Sequence, residues 1–429
     1  MKTAKKEIVS FSESRRPPEK NRPILLSSVL VTPFLLAVMA NLAAAQVPVF
    51  PAETIARHHV GGLGGNFLEL KDGRVVRATD GQWLFTTDGG ENWIDGGSRR
   101  YGDLLRLKSG AIGVIDDRDR KITFSRSDDE GKTWSQPVQM SEPHVHTGRQ
   151  HDSAIVTSSG RIVVPVYRQI GRREMVPEQK HFVNLALKGD EWMRVGSHDF
   201  EPVPELSWVY YSDDEGQTWH RNANGEMMVT LDYEAGGNFS AEEPVAVEYA
   251  PEHLLMLYRT PLGRLFQSWS SDDGTNWTLP RPSTLSASRA PAALKRIPGT
   301  DDLLVVWNQA SGDEIQRGLQ RHRLSAAISQ NGGASWKMHK NIVCIDEDDR
   351  SYVEPSPVRY YRSARFSPRL PASHCWAIYP AVIISKGRVI ISYYEVRNRP
   401  LEGNETRPAM IVLPIEFFYK KGTSMPAKK

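Results

Sequence analysis

Residues 127–134 read SDDEGKTW, and this eight-residue pattern recurs four more times along the chain. The other copies are TTDGGENW at 86–93, SDDEGQTW at 212–219, SSDDGTNW at 270–277 and SQNGGASW at 329–336. In each copy a short polar side chain such as Asp129 can accept backbone N–H bonds, and a glycine such as Gly131 can adopt a positive φ. The tryptophan then begins the next strand and buries its ring. Each copy therefore predicts a β-hairpin turn with a hydrophobic anchor.

A second repeated segment, made of two apolar strands joined by a turn, recurs six times. The copies are FLELKDGRVVRA, LLRLKSGAIGVI, AIVTSSGRIVVPVY, VAVEYAPEHLLMLY, AALKRIPGTDDLLVVW and AVIISKGRVIISYY. After the last copy comes MIVLPIEFFY, which we expect to be the final strand that closes a ring. The mature chain shows no sustained helical periodicity. We therefore predict an all-β, six-bladed β-propeller over residues 46–420, with residues 170–205 inserted in the third blade.

The first 45 residues have the order of charges and apolar residues expected of a signal peptide. Basic residues precede the apolar run at 24–42, and three alanines at 43–45 form a small-residue cleavage site. An uncleaved membrane anchor is the alternative, because the apolar run is nearly long enough to span a bilayer. In either case the folded part lies outside the cytoplasm, as a secreted, periplasmic or membrane-anchored protein. Residues 421–429 are expected to form a disordered tail.

Charge and cysteine content exclude several classes of function. The net charge of +3 is spread along the chain without a long basic run, which argues against a nucleic-acid binder. The two cysteines, Cys344 and Cys375, could pair in an oxidising compartment or stay as thiols. No spacing of cysteine or histidine suits a metal ion, so we expect neither a metal nor another cofactor.

The eight-residue turn is the Asp-box, and five copies with these strands resemble the sialidase (neuraminidase) superfamily of BNR-repeat propellers over nearly all of the mature chain. The resemblance implies an exo-acting glycoside hydrolase that removes terminal sialic acid or a related acidic sugar from a glycan. It implies Glu243 at the start of an inner strand and Arg259 at the end of the next. In the fifth and sixth blades it implies Arg321 and the catalytic Tyr379.

The chemistry of an acidic sugar gives these residue types a reason. Arginines grip a carboxylate bidentately, and the resemblance puts two of them, Arg259 and Arg321, on the carboxylate of the sugar. Arg317 or Arg323 would replace Arg321 if the register slips. A carboxylate nucleophile would be repelled by the sugar's own carboxylate, whereas a phenol is neutral. Glu243 could take the phenolic proton as the tyrosine attacks, which matches the tyrosine exception among retaining glycosidases.

The first blade departs from the family pattern. The family's first arginine has no counterpart in HHVGGLGGNFLEL at residues 58–70, where glycines stand instead. Arg57 lies just upstream, and Arg100, Arg149 and Arg289 open other blades, so any of them could supply the guanidinium in space.

The sequence also leaves open which residue is the acid/base group. Asp80 follows the first blade's second strand, although an Asp-Gly pair equally indicates a hairpin turn. His151 and Asp152 begin the third blade and could transfer protons or simply hydrogen-bond loop backbones.

Three hypotheses about function follow. The first is the acidic-sugar hydrolase, whose substrate could be sialic acid, another nonulosonic acid or a uronic acid. The second is a non-catalytic glycan-binding propeller, which the altered first blade favours. The third is a lyase acting on uronate-containing polysaccharide, which a His151 close to Tyr379 would favour.

Overall fold

A computed structural model describes residues 49–62, 64–79, 81–118, 121–142, 147–169, 185–188, 190–194, 205–232, 237–344, 350–362, 374–399 and 403–420. The predicted signal peptide, the predicted tail and most of the 170–205 insertion lie outside these residues. Within them, no helix is long and apolar enough to cross a membrane.

Six four-stranded antiparallel sheets account for most of the described chain. The first strand of the chain is β1 (Ala56–His58). The first sheet consists of β2 (Phe67–Glu69), β3 (Val75–Ala78), β4 (Gln82–Thr86) and β5 (Ile94–Ser98), and the second of β6 (Asp103–Arg106), β7 (Ile112–Asp116), β8 (Thr123–Ser127) and β9 (Val138–Gln139). The third sheet consists of β10 (Ile155–Val156), β11 (Ile162–Gln169), β14 (Glu205–Ser212) and β15 (His220–Arg221). The hairpin of β12 (Leu185–Lys188) and β13 (Glu191–Arg194) is inserted in the third sheet.

The second half of the chain continues the pattern after a hairpin of β16 (Val229–Leu231) and β17 (Gly237–Phe239). The fourth sheet consists of β18 (Glu242–Ala250), β19 (His253–Arg259), β20 (Arg264–Ser270) and β21 (Arg281–Ser286). The fifth consists of β22 (Ala293–Arg296), β23 (Leu303–Asn308), β24 (Leu324–Ser329) and β25 (Lys337–Val343). The sixth consists of β26 (Cys375–Ser385), β27 (Arg388–Arg399) and β28 (Gly403–Pro414) together with β1. Two short helices are α1 (Gly312–Gln316) and α2 (Glu416–Tyr419).

The first strands of the six sheets form a closed ring. β2 contacts β6, β6 contacts β10, β10 contacts β18, β18 contacts β22, β22 contacts β26, and β26 contacts β2. This cycle of inner strands around one axis is the architecture of a six-bladed β-propeller. The predicted fold class is therefore confirmed.

The ring is closed by pairing of the first described strand with the last. β1 forms the outer strand of the sixth blade, where Arg57 pairs with Ile411 of β28. The expected final strand in MIVLPIEFFY is present in its first half, which belongs to β28, whereas its second half forms α2. Pairing β1 with β28 covers a sheet edge and ties the two ends of the described chain together through backbone hydrogen bonds.

The five predicted turns join the third and fourth strands of the first five blades. Asp129 Oδ1 accepts hydrogen bonds from the backbone N–H groups of Lys132 (3.1 Å) and Thr133 (2.8 Å) and from the Ser127 hydroxyl (2.8 Å). Equivalent backbone bonds are made by Asp88, Asp214, Asp272 and Asn331. The eight residues therefore close each hairpin with their own hydrogen bonds.

The turn tryptophans fill the space between neighbouring blades. The ring of Trp134 lies edge-on to that of Trp83 in the preceding blade, with centroids 6.5 Å apart. Trp336 of the fifth blade packs in the same cluster as Leu255 and Leu257 of the fourth. Each anchor thus contributes apolar burial where one sheet faces the next.

An acidic residue beside three of the turns links adjacent blades. Glu130 has a φ of 58° and Glu215 a φ of 55°. The Glu130 carboxylate accepts the N–H of Lys71 in the first blade (3.1 Å), and Glu215 accepts that of Ser109 in the second (2.8 Å). In the fourth blade, Asp273 accepts a hydrogen bond from the hydroxyl of Ser159 in the third blade (2.6 Å).

Replacing one turn aspartate should change how acid destabilises the protein. Hydrogen bonds from the Thr133 side chain and backbone lower the pKa of Asp129 to about 2, from an ordinary value of 3.8. The stability that this depressed pKa confers is complete above the ordinary pKa and is lost as the pH falls through about 2. Asp129→Asn keeps an acceptor, as Asn331 does naturally, but does not titrate. We expect its melting temperature, followed by circular dichroism, to fall less than that of the wild type between pH 4 and pH 2.

The reverse substitution is the matched control for this prediction. Asn331→Asp introduces a titratable group into the fifth turn and should increase the fall in melting temperature over the same range. Equal acid-induced shifts in all three proteins would contradict the proposed role of the turn carboxylates.

Candidate functional site

Five of the six inner strands have a residue of positive φ, among the described residues, either in the first half of the strand or up to three residues before it. These residues are Gly65 (78°), Gly102 (127°), Asp152 (58°), Glu243 (45°) and Tyr379 (55°). Because the blades repeat one strand order around the ring, the five residues lie at the same end of the axis. Non-glycine residues in this conformation carry backbone strain, which is concentrated at functional sites.

Glu243 and Tyr379 share a local structure. Each is followed by a proline, in EEPVAV and IYPAVI, and a β-bulge separates the paired residues on either side of it. A bulge turns the side chain of the extra residue out of the regular alternation of the strand. The recurrence of an X-Pro step at this position in the fourth and sixth blades is a signal in the sequence that the interpretation above did not use.

Two arginines and three glutamates form a buried ion-pair network at this end of the axis. Arg259 Nη2 donates to Glu242 Oε2 at 3.0 Å, and Arg259 Nη1 donates to Glu243. Arg289 Nε donates to Glu242, and Arg289 Nη2 lies 3.6 Å from Glu205 Oε1. Burial raises the pKa of Glu242, but the guanidinium groups of Arg259 and Arg289 outweigh it and hold that pKa below its usual value. Two guanidinium groups thus face three carboxyl groups, and both arginines are paired with carboxyl groups of the protein.

Arg321 and Tyr379 lie next to this network. The guanidinium carbon of Arg321 is 5.4 Å from the centroid of the Tyr379 ring, and Arg321 Nη2 donates to the backbone oxygen of Arg289 at 2.9 Å. Arg321 forms no ion pair with any residue that the structure describes. The ring of Tyr394, from β27, lies 5.8 Å from that of Tyr379. We call the site around Arg321, Tyr379 and Tyr394 the axial pocket; it contains two tyrosines with tilted rings and a cation that forms no ion pair within the described residues.

Glu243 does not hydrogen-bond the Tyr379 hydroxyl in the structure. Its carboxylate is instead held by Arg259. Arg259 lies close enough to Tyr379 and Tyr167 for both tyrosines to interact with its charge. Burial lowers the pKa of Arg259. Glu242 and Glu243, and after them the two tyrosines, raise it. The structure therefore brings Arg259, Arg321, Glu243 and Tyr379 together, as the resemblance implied.

Tyr167, in β11, is a pocket residue that sequence reasoning missed. Burial raises its pKa strongly, and the neighbouring Glu243 adds to the increase. Tyr167 is therefore a neutral phenol at physiological pH. Nothing in the strand VVPVY distinguishes this tyrosine from an ordinary sheet aromatic, so the sequence carried no usable signal for it.

Asp152 lies at the axis, where it joins several blades. Its carboxylate accepts hydrogen bonds from Lys295 Nζ in the fifth blade (2.6 Å) and from the N–H of Val382 in the sixth (2.8 Å). Its own N–H donates to Asp103 Oδ2 in the second blade at 2.6 Å. Burial raises the pKa of Asp152, and the ion pair with Lys295 opposes that effect. Asp152 is thus committed to contacts between blades.

His151 faces the tyrosine side of the pocket. A Cβ atom added to Gly64 would lie 3.1 Å from His151 Cε1 and 3.4 Å from the Tyr394 hydroxyl. His151 and Tyr394 therefore approach each other across the glycine that stands where the first blade departs from the family pattern. The His151 side chain is 26% exposed, so a ligand can reach it.

The remaining candidate arginines lie elsewhere. Arg57, on the outer strand of the sixth blade, pairs with Glu395 at 3.2 Å. Arg100 donates to Ser125 in the third strand of the second blade at 3.0 Å. Arg149 is buried against Asp103 at 2.5 Å. Of the four arginines considered for the missing first position, Arg289 is the one that the structure places beside Arg259.

The alternative positions in the fifth blade have other roles. Arg317 is the exposed C-cap residue of α1, and Arg323 is buried with Glu314 at 2.9 Å. Asp80 lies outside the described residues. The described part of the chain contains no group of three or more His, Cys, Asp or Glu side chains arranged to hold a metal ion.

Comparisons with known proteins agree with this architecture. The family model described as "BNR repeat-like domain" matches residues 102–389. A protein of unknown function from Dyadobacter fermentans has a TM-score of 0.50 at 17% identity, over 84% of this chain and 98% of that one. The NanB sialidase of Streptococcus pneumoniae has a TM-score of 0.51 at 11% identity, over 87% of this chain and 71% of that one.

A Trypanosoma rangeli sialidase mutant with trans-sialidase activity has a TM-score of 0.47 at 14% identity; 87% of this chain matches 58% of that one. This chain therefore spans less than two thirds of that sialidase. No curated protein sequence matches the chain significantly.

Removing the Arg259 guanidinium should strongly destabilise the protein, because the carboxyl groups of Glu242 and Glu243 would stay buried without this positively charged partner. Breaking a buried ion pair at one partner typically costs about 3–5 kcal/mol. We expect Arg259→Ala to lower the free energy of unfolding in urea by about that amount. The double variant Glu243→Gln/Arg259→Met, which removes both charges of one pair, should lose less.

Arg317→Ala serves as the control, since Arg317 is exposed, and should change the free energy of unfolding by less than about 0.5 kcal/mol. A loss for Arg259→Ala no larger than that of this control would show that the network does not stabilise the fold.

Proposed function

The chain belongs to the BNR repeat-like domain family, and on that premise we propose that it is a glycoside hydrolase acting on a terminal sugar that carries a carboxylate. One observation carries this proposal: the guanidinium of Arg321 lies over the ring of Tyr379 and has no carboxylate partner among the described residues. A cation beside a strained tyrosine suits a substrate whose carboxylate lies next to its reacting carbon.

Arg321 is the carboxylate anchor in this proposal. Arg259 and Arg289 already form ion pairs with Glu242, Glu243 and Glu205 of the protein. The carboxylate of a ligand therefore gains most of its binding free energy from Arg321. The hydrogen bond from Arg321 to the backbone oxygen of Arg289 holds the guanidinium in place. Sialic acid, another nonulosonic acid or a uronic acid at the end of a glycan would each present the required group.

Tyr379 is the nucleophile. Its oxygen bonds to the anomeric carbon as the glycosidic oxygen leaves with a proton, and water later replaces the tyrosine. Glu243 takes the phenolic proton. Arg259 remains paired with Glu242 when Glu243 becomes neutral, so the network keeps its geometry during this transfer.

A β-eliminating lyase for uronate-containing polysaccharide is the second candidate. The observation that favours it is the approach of His151 and Tyr394 across Gly64, with Tyr379 beyond. In that reaction a base removes the proton next to the carboxylate and the linked sugar leaves without water. The two reactions give different products, since only elimination leaves a double bond that absorbs in the ultraviolet.

Loss of the Tyr379 hydroxyl should abolish hydrolysis. With fluorogenic glycosides of sialic acid and glucuronic acid as probes, we expect Tyr379→Phe to lower kcat by at least about 10³-fold, because the variant has no nucleophile. Its melting temperature should stay near that of the wild type. Tyr249→Phe, at the opposite end of β18 from Glu243, should keep full activity. A fully active Tyr379→Phe would rule out this mechanism, and binding without turnover in the wild type would identify a glycan-binding propeller.

Loss of the Arg321 guanidinium should weaken binding of acidic substrates specifically. A hydrogen bond to a charged group contributes about 1.5–3 kcal/mol, so Arg321→Ala should raise KM by about 10- to 100-fold. Arg317→Ala, four residues away and exposed, should leave KM unchanged. The effect should disappear when the carboxylate of the probe is esterified, and an equal loss on acid and ester would exclude Arg321 as the carboxylate anchor.

A further inference from the structure

We propose that Asp103 positions His151 as the proton-transfer group of the axial pocket, an inference that rests on the proposed function. The acid/base group is the part of the mechanism that the site described above does not assign. Asp103, the first residue of β6, is 1% exposed and was not singled out by its sequence.

The orientation of the Asp103 carboxylate is fixed by two donors on one of its oxygens. Asp103 Oδ2 accepts hydrogen bonds from Arg149 Nη1 at 2.5 Å and from the N–H of Asp152 at 2.6 Å. Arg149 is in turn fixed by its bond to the backbone oxygen of Ile115 at 3.3 Å. The carboxylate therefore cannot rotate without breaking buried, charge-assisted bonds.

The other oxygen faces His151. Asp103 Oδ1 is buried and accepts no hydrogen bond from the residues that the structure describes. It lies 4.0 Å from His151 Nδ1. A buried acceptor without a donor is costly, and a small rotation of the imidazole would satisfy it with an Nδ1–H group. Catalytic hydrogen bonds are often long in the absence of substrate and shorten when it binds.

An Nδ1–H bond to Asp103 leaves Nε2 for proton transfer. A Cβ atom added to Gly64 would lie 3.2 Å from His151 Nε2 and 3.4 Å from the Tyr394 hydroxyl, so Nε2 is on the side of the pocket that holds Tyr394 and Tyr379. A histidine whose other nitrogen is held by a carboxylate has a fixed tautomer and ring orientation. Asp103 does not reach the pocket, so it is a positioning residue.

The charges around His151 are paired. Asp103 from β6 pairs with Arg149, and Asp152 from the same loop as His151 pairs with Lys295 from β22. Arg149 Nε also lies 3.7 Å from Asp117. From β27, Tyr394 adds a hydroxyl. The uncompensated feature next to the imidazole is therefore the Asp103 oxygen that accepts no hydrogen bond.

The proton balance of the proposed hydrolysis suits this arrangement. In the first step, the His151 imidazolium gives its Nε2 proton to the glycosidic oxygen while that oxygen's bond to the anomeric carbon breaks; the Tyr379 oxygen bonds to the carbon and its proton passes to Glu243. In the second step, the neutral Nε2 takes a proton from water as the water oxygen bonds to the carbon, the bond to Tyr379 breaks, and Glu243 returns its proton to the Tyr379 oxygen. His151 thus returns to its starting state.

The test is to determine the tautomer of His151 by ¹⁵N NMR. The sample is the full mature chain with ¹⁵N-labelled histidine rings, and a His151→Gln variant assigns the His151 signals. We expect the Nδ1–H tautomer for neutral His151 in the wild type. In Asp103→Asn the side-chain amide can donate to Nδ1, so the tautomer should change to Nε2–H and kcat should fall by at least about tenfold with KM within about twofold. Asp117→Asn, which removes another carboxylate near Arg149, should change neither.

An Nε2–H tautomer in the wild type would overturn the proposal, as would an Asp103→Asn variant with unchanged tautomer and kcat. The wild-type spectrum decides the matter even if Asp103→Asn does not fold. Because the spectrum needs no substrate, absence of glycosidase activity with the expected tautomer would refute the proposed function while leaving the Asp103–His151 pair in place.

Discussion

The contacts of Asp152 are the constraint on which the centre of this propeller depends. At the axis a carboxylate cannot be hydrated as it would be at the surface, so it must find its partners inside the protein. The Asp152 carboxylate does so through Lys295 and Val382, and the Asp152 backbone N–H donates to Asp103, so the residue contacts three other blades. The positive φ of Asp152 directs the side chain into this position. Asp152 therefore links its own blade to three others. Its backbone N–H also fixes the orientation of the Asp103 carboxylate.

The ion pairs of Arg259 and Arg289 distinguish this site from the one that the resemblance implied. The resemblance to sialidases implies several arginines around one sugar carboxylate. Here Arg259 and Arg289 are paired with glutamates that belong to the protein, and Arg321 is left beside Tyr379. An acidic ligand would thus be held by a local charge in a nearly neutral pocket, and its affinity would depend less on long-range attraction. The same scaffold supports different sites because each site is set by a few side chains at its mouth.

The features that could be predicted from the sequence are local. The turns were found because every bond of an Asp-box, such as Asp129 to Thr133, joins residues within the same eight positions. Glu243, Arg259, Arg321 and Tyr379 were proposed because each matches a position of the sialidase pattern within its own blade. The partners of these residues are not local: Asp152 and Lys295 are 143 residues apart, and Arg289 and Glu242 are 47 apart.

Arg57, Arg100 and Arg149 could not be told from Arg289 in the sequence, because the residues around an arginine do not reveal whether its partner is a ligand or a carboxylate of the protein. The three-residue β1 was missed for a related reason, since so short a strand has no detectable alternation.

The closure of the sixth blade has a consequence for biosynthesis. Ala56–His58 pair with three residues near the end of β28 (Gly403–Pro414), and they leave the ribosome some 350 residues earlier. Earlier blades can form as they emerge, but β1 has to stay unpaired until β28 has been synthesised. The sixth blade is therefore complete only when its oldest strand docks onto its newest, and until then the Met410–Val412 edge is open to other chains.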